Sequence, residues 1–233
     1  MSNTKTKKLV TLAMLSAMAY TVMFVFKGTP PIVPMPPLKF DPKDVIILFG
    51  GFLYGPLAAI IMSMVVSVLE MVSVSLTGWV GCIMNIVSTC AFVVPASLIY
   101  KKYKTLEGAV IGLTLGVISV TAVMTLWNYL MVPIFMATPD TTIDGEFIKG
   151  TSIAEWRERT KGMLLPIFVP FNLFKYSLNS VLTMLIFKPI VTALHKAELI
   201  EPAIVGTRSA KTKWIFIVAG IAVAIGFLLF FIL

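Results

Sequence analysis

Five polar side chains lie inside apolar runs long enough to cross a lipid bilayer: Glu70, Asn85, Asn128, Asn172 and Lys175. A carboxylate, an ammonium and three carboxamides could tie helices together, bind a polar ligand, or relay a proton. A rise of about 1.5 Å per residue, counted from the predicted outer helix ends, puts Glu70 and Asn85 about 9 Å deep, Asn128 about 12 Å, Asn172 about 13 Å and Lys175 about 18 Å. Residues 172, 175 and 179 fall within about 60° of one another on a helix turning about 100° per residue, so they form one polar stripe that should face a bundle. Taken singly, each asparagine reads as interhelical glue, and Lys175 could pair with Glu70. A lysine near the centre of a membrane helix is costly, however, and usually marks a substrate or ion path. Together the five residues point to an outward-opening pocket with amide donors and acceptors, one ammonium and an apolar cover.

Catalytic constellations do not fit this set. The single histidine, His195, falls in a basic loop, and neither a paired-histidine motif nor a Gly-x-Ser-x-Gly turn occurs. Cys82 and Cys90 are eight residues apart on one predicted helix, about 12 Å along its axis, too far for a disulfide, and they build no metal cluster. A phosphate-cradling Gly-rich Lys-Ser/Thr loop is absent, which argues against an ATP-driven pump contained in this chain. No internal repeat of the kind expected in a secondary transporter is visible. Binding, with energy supplied by another subunit, is the reading left, and a membrane enzyme acting on a lipid is the alternative from another class.

The elements that must position these groups follow from composition. Hydrophobic residues make up 58% of 233 positions and charged residues 13%, with a mean hydropathy of +0.95, far above a soluble domain. Apolar runs predict crossings at 9–26, 45–54, 57–76, 79–100, 106–136, 163–187 and 214–233, the second short and set off by Gly55-Pro56. Counting 45–54 and 57–76 as two crossings puts three basic clusters on one side: Lys5, Lys7 and Lys8; Lys101, Lys102 and Lys104; and Lys188, Lys196, Arg208, Lys211 and Lys213. The positive-inside rule then makes that side, and the N-terminus, cytoplasmic. The formal charge of +8 is scattered over helix ends and loops, so it reads as anchoring beside acidic lipid rather than nucleic-acid binding. The basic, then apolar N-terminus reads as an uncleaved first helix instead of a signal peptide.

Two outer connections stand out. The stretch "KGTPPIVPMPPLKFDPKD" is stiffened by prolines while carrying Met35, Leu38 and Phe40, apolar side chains on an outer loop that want something to cover. In the long connection 137–162, "SIAEWRERTKG" could form a short amphipathic helix with Ile153 and Trp156 towards lipid or bundle, although its mixed charge reads more simply as a solvated face.

The stretches "LAMLSAMAY", "LKFDPKDVIILFGGFLYGPLAA", "GWVGCIMN", "TLWNYLMVPIF" and "LLPIFVPFNLFKYSLNSVL" run from Lys8 to Phe187. In combination the chain resembles the substrate-binding S-components of energy-coupling factor (ECF) transporters, and within them the riboflavin-binding branch. The resemblance implies an all-α six-helix transmembrane bundle in a prokaryotic cell membrane, a vitamin pocket near the outer face, and transport only with a transmembrane scaffold subunit and two ATPases. It places Asn128, Asn172 and Lys175 on the flavin, which is cargo and not a cofactor. An isoalloxazine ring has a flat apolar body and a carbonyl and imide edge, so Met35, Leu38 and Phe40 are candidate walls, with Asn85, Trp79 and Glu70 as further pocket candidates. The resemblance also docks the scaffold on Ala13 and Ala17 of the first helix, and "AMLSA" is independently a small-xxx-small pattern that admits a close helix partner. A relative for another heterocycle, such as thiamin or pyridoxine, is the neighbouring alternative. The expected organisation is a substrate-binding membrane domain over 1–195, a basic linker over 196–212, and an extra C-terminal transmembrane helix over 213–233 that the six-helix pattern does not contain.

Overall fold

A computed structural model describes residues 4–30, 32, 38–75, 77–139, 141–143 and 146–197. The expected C-terminal helix over 213–233, nearly all of the linker before it, and Met35 lie outside the described residues. The chain folds as α1 (Thr4–Lys27), α2 (Lys43–Tyr54), α3 (Pro56–Ser73), α4 (Gly78–Tyr103), α5 (Leu106–Met136), an antiparallel hairpin of β1 (Thr141–Ile143) and β2 (Glu146–Ile148), α6 (Ile153–Met163), a π-helical turn (Leu164–Phe168), and α7 (Val169–Lys196). Of these helices α1, α3, α4 and α5 are long and apolar enough to cross a membrane by length and composition. Outward side chains such as Leu9, Leu57 and Val72 are more than two-thirds exposed, which puts apolar surface where lipid would cover it.

The short second crossing becomes α2, and its position explains its sequence. Twelve residues span only about 18 Å, less than a hydrocarbon core, yet every residue from Lys43 to Phe52 is buried. α2 packs against α1, α3, α4 and α7, so it has no lipid-facing side and reads apolar all round. Ile47, Leu48 and Phe49 are wholly buried at the centre of the core, with Leu15, Met62, Val66, Phe92 and Tyr176 around them. The Gly55-Pro56 break is a turn in which Gly55 takes φ +92°, a left-handed conformation that a side chain disfavours, while its N–H still caps Gly51 O at 2.8 Å. α4 and α5 cross very closely. A Cβ on Gly116 would sit 2.5 Å from Phe92 O, and one on Gly112 2.7 Å from Ala96 O, so only hydrogen fits at these two positions.

The long connection between α5 and α7 is more ordered than a solvated loop. Ser152 and Glu155 form a reciprocal capping box that starts α6, with Ser152 Oγ accepting from Glu155 N at 3.2 Å and Glu155 Oε2 accepting from Ser152 N at 3.0 Å. Trp156 and Thr160, four residues apart, are buried where α6 packs on α5, whereas Ile153 is exposed. The amphipathic helix therefore faces the bundle with Trp156. Pro166 and Pro170 lack amide hydrogens, and the chain widens into the π-helical turn between α6 and α7 just before the polar stripe begins.

Candidate ligand-binding site

The first turn of α2 carries its two charged residues into the bundle, because the helix is enclosed on all sides. There Lys43 donates to Asp41 Oδ2 at 2.7 Å and to Glu70 Oε2 at 2.8 Å, with only 3% of its side chain exposed. Glu70 accepts two further bonds, from Lys27 Nζ at 2.9 Å and Asn85 Nδ2 at 2.8 Å. One carboxylate on α3 thus gathers donors from α1, α2 and α4. Lys39 donates to Lys27 O at 3.0 Å, on the carbonyl end of α1, where a cation is favoured. The pair of Glu70 with Lys175 considered from the sequence is not formed.

Lys175 instead lies where Asp41 and Asp44 both feel its charge, with its ammonium 5.1 Å from the centre of the Tyr176 ring. Asp44 is almost fully buried and accepts from Thr89 Oγ1 at 2.6 Å. In the connection ahead of α2, burial pushes the Asp41 carboxyl up, but Lys43 and then Lys175 outweigh it and hold it below the usual carboxylate range. Of the α7 stripe, Asn172 and Asn179 are buried as its spacing predicts and Lys175 is half-buried. Asn172 Nδ2 donates to Phe168 O at 2.7 Å, and Asn179 Nδ2 donates to Asp41 O at 3.2 Å, pinning the loop to α7. Asn179 Oδ1 is buried without a partner among the described residues, an acceptor that a ligand donor would satisfy.

The remaining sequence candidates are placed as follows. Asn128 is buried on α5, with no side-chain hydrogen bond to the described residues. Leu38 and Phe40 are half-buried, the Phe40 ring meeting Phe26 edge-on at 6.1 Å, and Ile32 N donates to Leu38 O at 2.8 Å. Trp79 stands at the start of α4 and is 69% exposed. Ala13 and Ala17 are both exposed on α1, while Leu15, Ser16 and Ala19 turn inward. Sequence reasoning passed over Lys27, Asp41, Lys43, Asp44 and Thr89. The available signal was that an all-apolar α2 must bury its first turn too, which makes the charges of "FDPKD" internal.

An open cleft of about 490 Å³ lies elsewhere, between α5 and the start of α7, lined by Thr121, Thr125, Tyr129, Leu164 and Leu173 among others. Its threonine hydroxyls donate to their own helix carbonyls, Val117 O and Thr121 O, both at 2.7 Å. It offers apolar surface and no charge, so the polar chemistry stays with the cluster around Lys175.

The bundle buries ion pairs and one unpartnered amide acceptor, Asn179 Oδ1, and among the described residues no group of His, Cys, Asp and Glu is placed to hold a metal. The profile of the family described as "ECF transporter, substrate-specific component" matches residues 7–187, and the chain belongs to that family. Its curated relatives include riboflavin transporter FmnP of Bacillus subtilis (strain 168), 30% identical over 78% of this chain and 91% of the relative. Riboflavin transporter RibU of Staphylococcus aureus (strain TCH60) is 28% identical over 82% of this chain and 93% of its own length. Among solved structures, the S component of a bacterial ECF transporter superposes with a TM-score of 0.62 at 26% identity, covering 82% of this chain and 98% of that one. The protein is therefore a membrane transport component and not an enzyme.

Proposed function

We propose that this protein captures riboflavin from outside the cell and delivers it across the cell membrane together with an ECF scaffold subunit and two ATPases. The observation that carries the reading is near-full-length similarity to two riboflavin transporters, joined to a buried polar cluster where four elements converge. Asn128, Asn172 and Lys175 contact the flavin edge, and Leu38, Phe40 and Met35 cover its flat face. Glu70 and Asn85 hold the surrounding charges in place, and Trp79 lies at the rim. The basic clusters support a cytoplasmic N-terminus, with the cluster around Lys175 in the outer half. Exposure of Ala13 and Ala17 supports α1 as the face that meets the scaffold, since small residues allow close helix approach.

Purification tests the reading. Protein extracted in mild detergent from flavin-containing cells should be yellow, and its bound flavin weakly fluorescent through stacking on aromatic rings. A colourless preparation that takes up no added riboflavin rejects it.

A further inference from the structure

The cleft between α5 and the start of α7 interrupts an otherwise convex apolar surface. Ile118, Ala122 and Leu126 of α5 form one wall, and Leu164 of the π-helical turn with Val169 and Leu173 of α7 forms the other, around about 490 Å³. Its hydroxyls are spent inside α5, where Thr121 and Thr125 donate to carbonyls one turn back. Thr114 and Ile118 continue the same face of α5 towards its start and are exposed, with Thr114 Oγ1 likewise donating to Val110 O at 2.9 Å. The whole strip is therefore a surface for packing and not for polar binding.

We infer that residues 214–233 cross the membrane as a further helix and seat in this cleft, parallel to α5. The stretch "WIFIVAGIAVAIGFLLFFIL" carries no charge, is long enough for one crossing, and lies beyond the family match at 7–187. Lys211 and Lys213 directly before it, and Lys101, Lys102 and Lys104 before α5, give both helices a basic start on one side. The connection over 198–213 reaches up to about 50 Å, ample to bring the segment from the end of α7 to α5. At about 1.5 Å per residue, Gly220 and Ala224 lie about 9 and 15 Å beyond Trp214, level with Thr114 about 12 Å beyond Leu106. Phe227, Phe230 and Phe231 lie about 20 to 26 Å along, level with Ala122 about 24 Å along α5. Gly220, Ala224, Phe227 and Phe231 fall within about 60° of one another, so one face offers small residues beside Thr114 and phenylalanines where the cleft opens. Lipid supplies no hydrophobic drive between helices, so complementary packing of this kind is what selects one seat. The seat does not depend on which ligand the bundle takes.

Cysteine crosslinking of the full chain in cell membranes tests the seat, in a Cys82→Ala, Cys90→Ala background with a protease site set in the linker over 198–212. Ala122→Cys is combined in turn with Phe227→Cys, Phe230→Cys and Phe231→Cys, and copper phenanthroline is the oxidant. Val72→Cys, about 24 Å along α3 and as open to lipid, is the control at equal depth, since α3 packs on α1, α2 and α4. A disulfide forms only where the two Cβ atoms come within about 4.5 Å. The expected result is that at least one Ala122 pair holds the two fragments together after proteolysis until it is reduced, in several-fold higher yield than any Val72 pair. Adding Gly220→Leu with Ala224→Leu should cut that yield several-fold, and an unchanged yield rejects the proposed face. Crosslinks found only in dimers overturn the inference, because the cleft then takes the segment of a second copy. Equal yields at Ala122 and Val72 overturn it, because the segment then wanders in lipid. Absence of every Ala122 crosslink overturns it too, and leaves the cleft to lipid tails.

Discussion

Replacing Lys43 with methionine should be among the most damaging single changes at this end of the bundle. Its ammonium is buried with two carboxylates at 2.7 and 2.8 Å. Glu70 would keep Lys27 and Asn85, but Asp41 would lose the cation it bonds and retain only the Lys43 backbone N–H at 3.0 Å. A buried charge stranded in this way costs about 3–5 kcal/mol. Lys27→Met makes the internal control. That side chain is 29% exposed and contributes one of three donors to Glu70, so its removal should cost about 1 kcal/mol. Adding Asp41→Asn to Lys43→Met removes the stranded charge and should restore a large part of the loss. Unfolding of the three variants and the native protein in one detergent, followed by tryptophan fluorescence, gives the ranking. If Lys43→Met proves no more destabilising than Lys27→Met, the buried network does not hold this end of the bundle together and the reasoning fails.

Lys175→Met should leave a folded, extractable protein that binds riboflavin much more weakly, because Lys175 has no carboxylate within ion-pair distance among the described residues and, in the function proposed above, it meets the ligand; titration beside unfolding separates the two effects. Ala13→Leu with Ala17→Leu should preserve binding in detergent but abolish uptake in cells, since lipid accommodates leucine and a tightly packed partner helix does not. Gly116→Ala should destabilise by about 1–3 kcal/mol, as its methyl would press on the Phe92 carbonyl across the α4–α5 crossing. Because Asp41 is held below the ordinary carboxylate range, its stabilisation is full above that range and is lost as pH falls through the lowered value; Asp41→Asn should flatten the acid limb of stability against pH.

Helix placement was legible because lipid and core both demand apolar residues in long runs. α1, α3, α4 and α5 therefore appear close to their expected ranges, with ends shifted by up to five residues at α1 and three at α4. The polar stripe of α7 was legible from spacing alone, since Asn172 and Asn179 are both buried on it. Pairing was not legible. Glu70 and Lys175 look like natural partners when each is the nearest unmatched charge in its own helix, but the sequence cannot show that the extended segment before α2 folds inward and brings Asp41 and Lys43 between them. The same segment reads as an outer loop because prolines and charges are what such loops contain, whereas the burial of Lys43 and Asp44 is imposed by the packing of α2 against α1, α3, α4 and α7. α6 was open to reading as an amphipathic helix from Ile153 and Trp156, but its mixed charge pointed to a solvated face and hid that Trp156 is buried.

Binding of riboflavin within this chain's own bundle is the central claim. Titration of the flavin-free, detergent-purified protein with riboflavin, read by quenching of flavin fluorescence, tests that most directly when thiamin and pyridoxine are run alongside. Saturable quenching at one riboflavin per chain, unaffected by an excess of either other vitamin, is the predicted result. Absence of quenching, or displacement by thiamin or pyridoxine at comparable concentration, would contradict it.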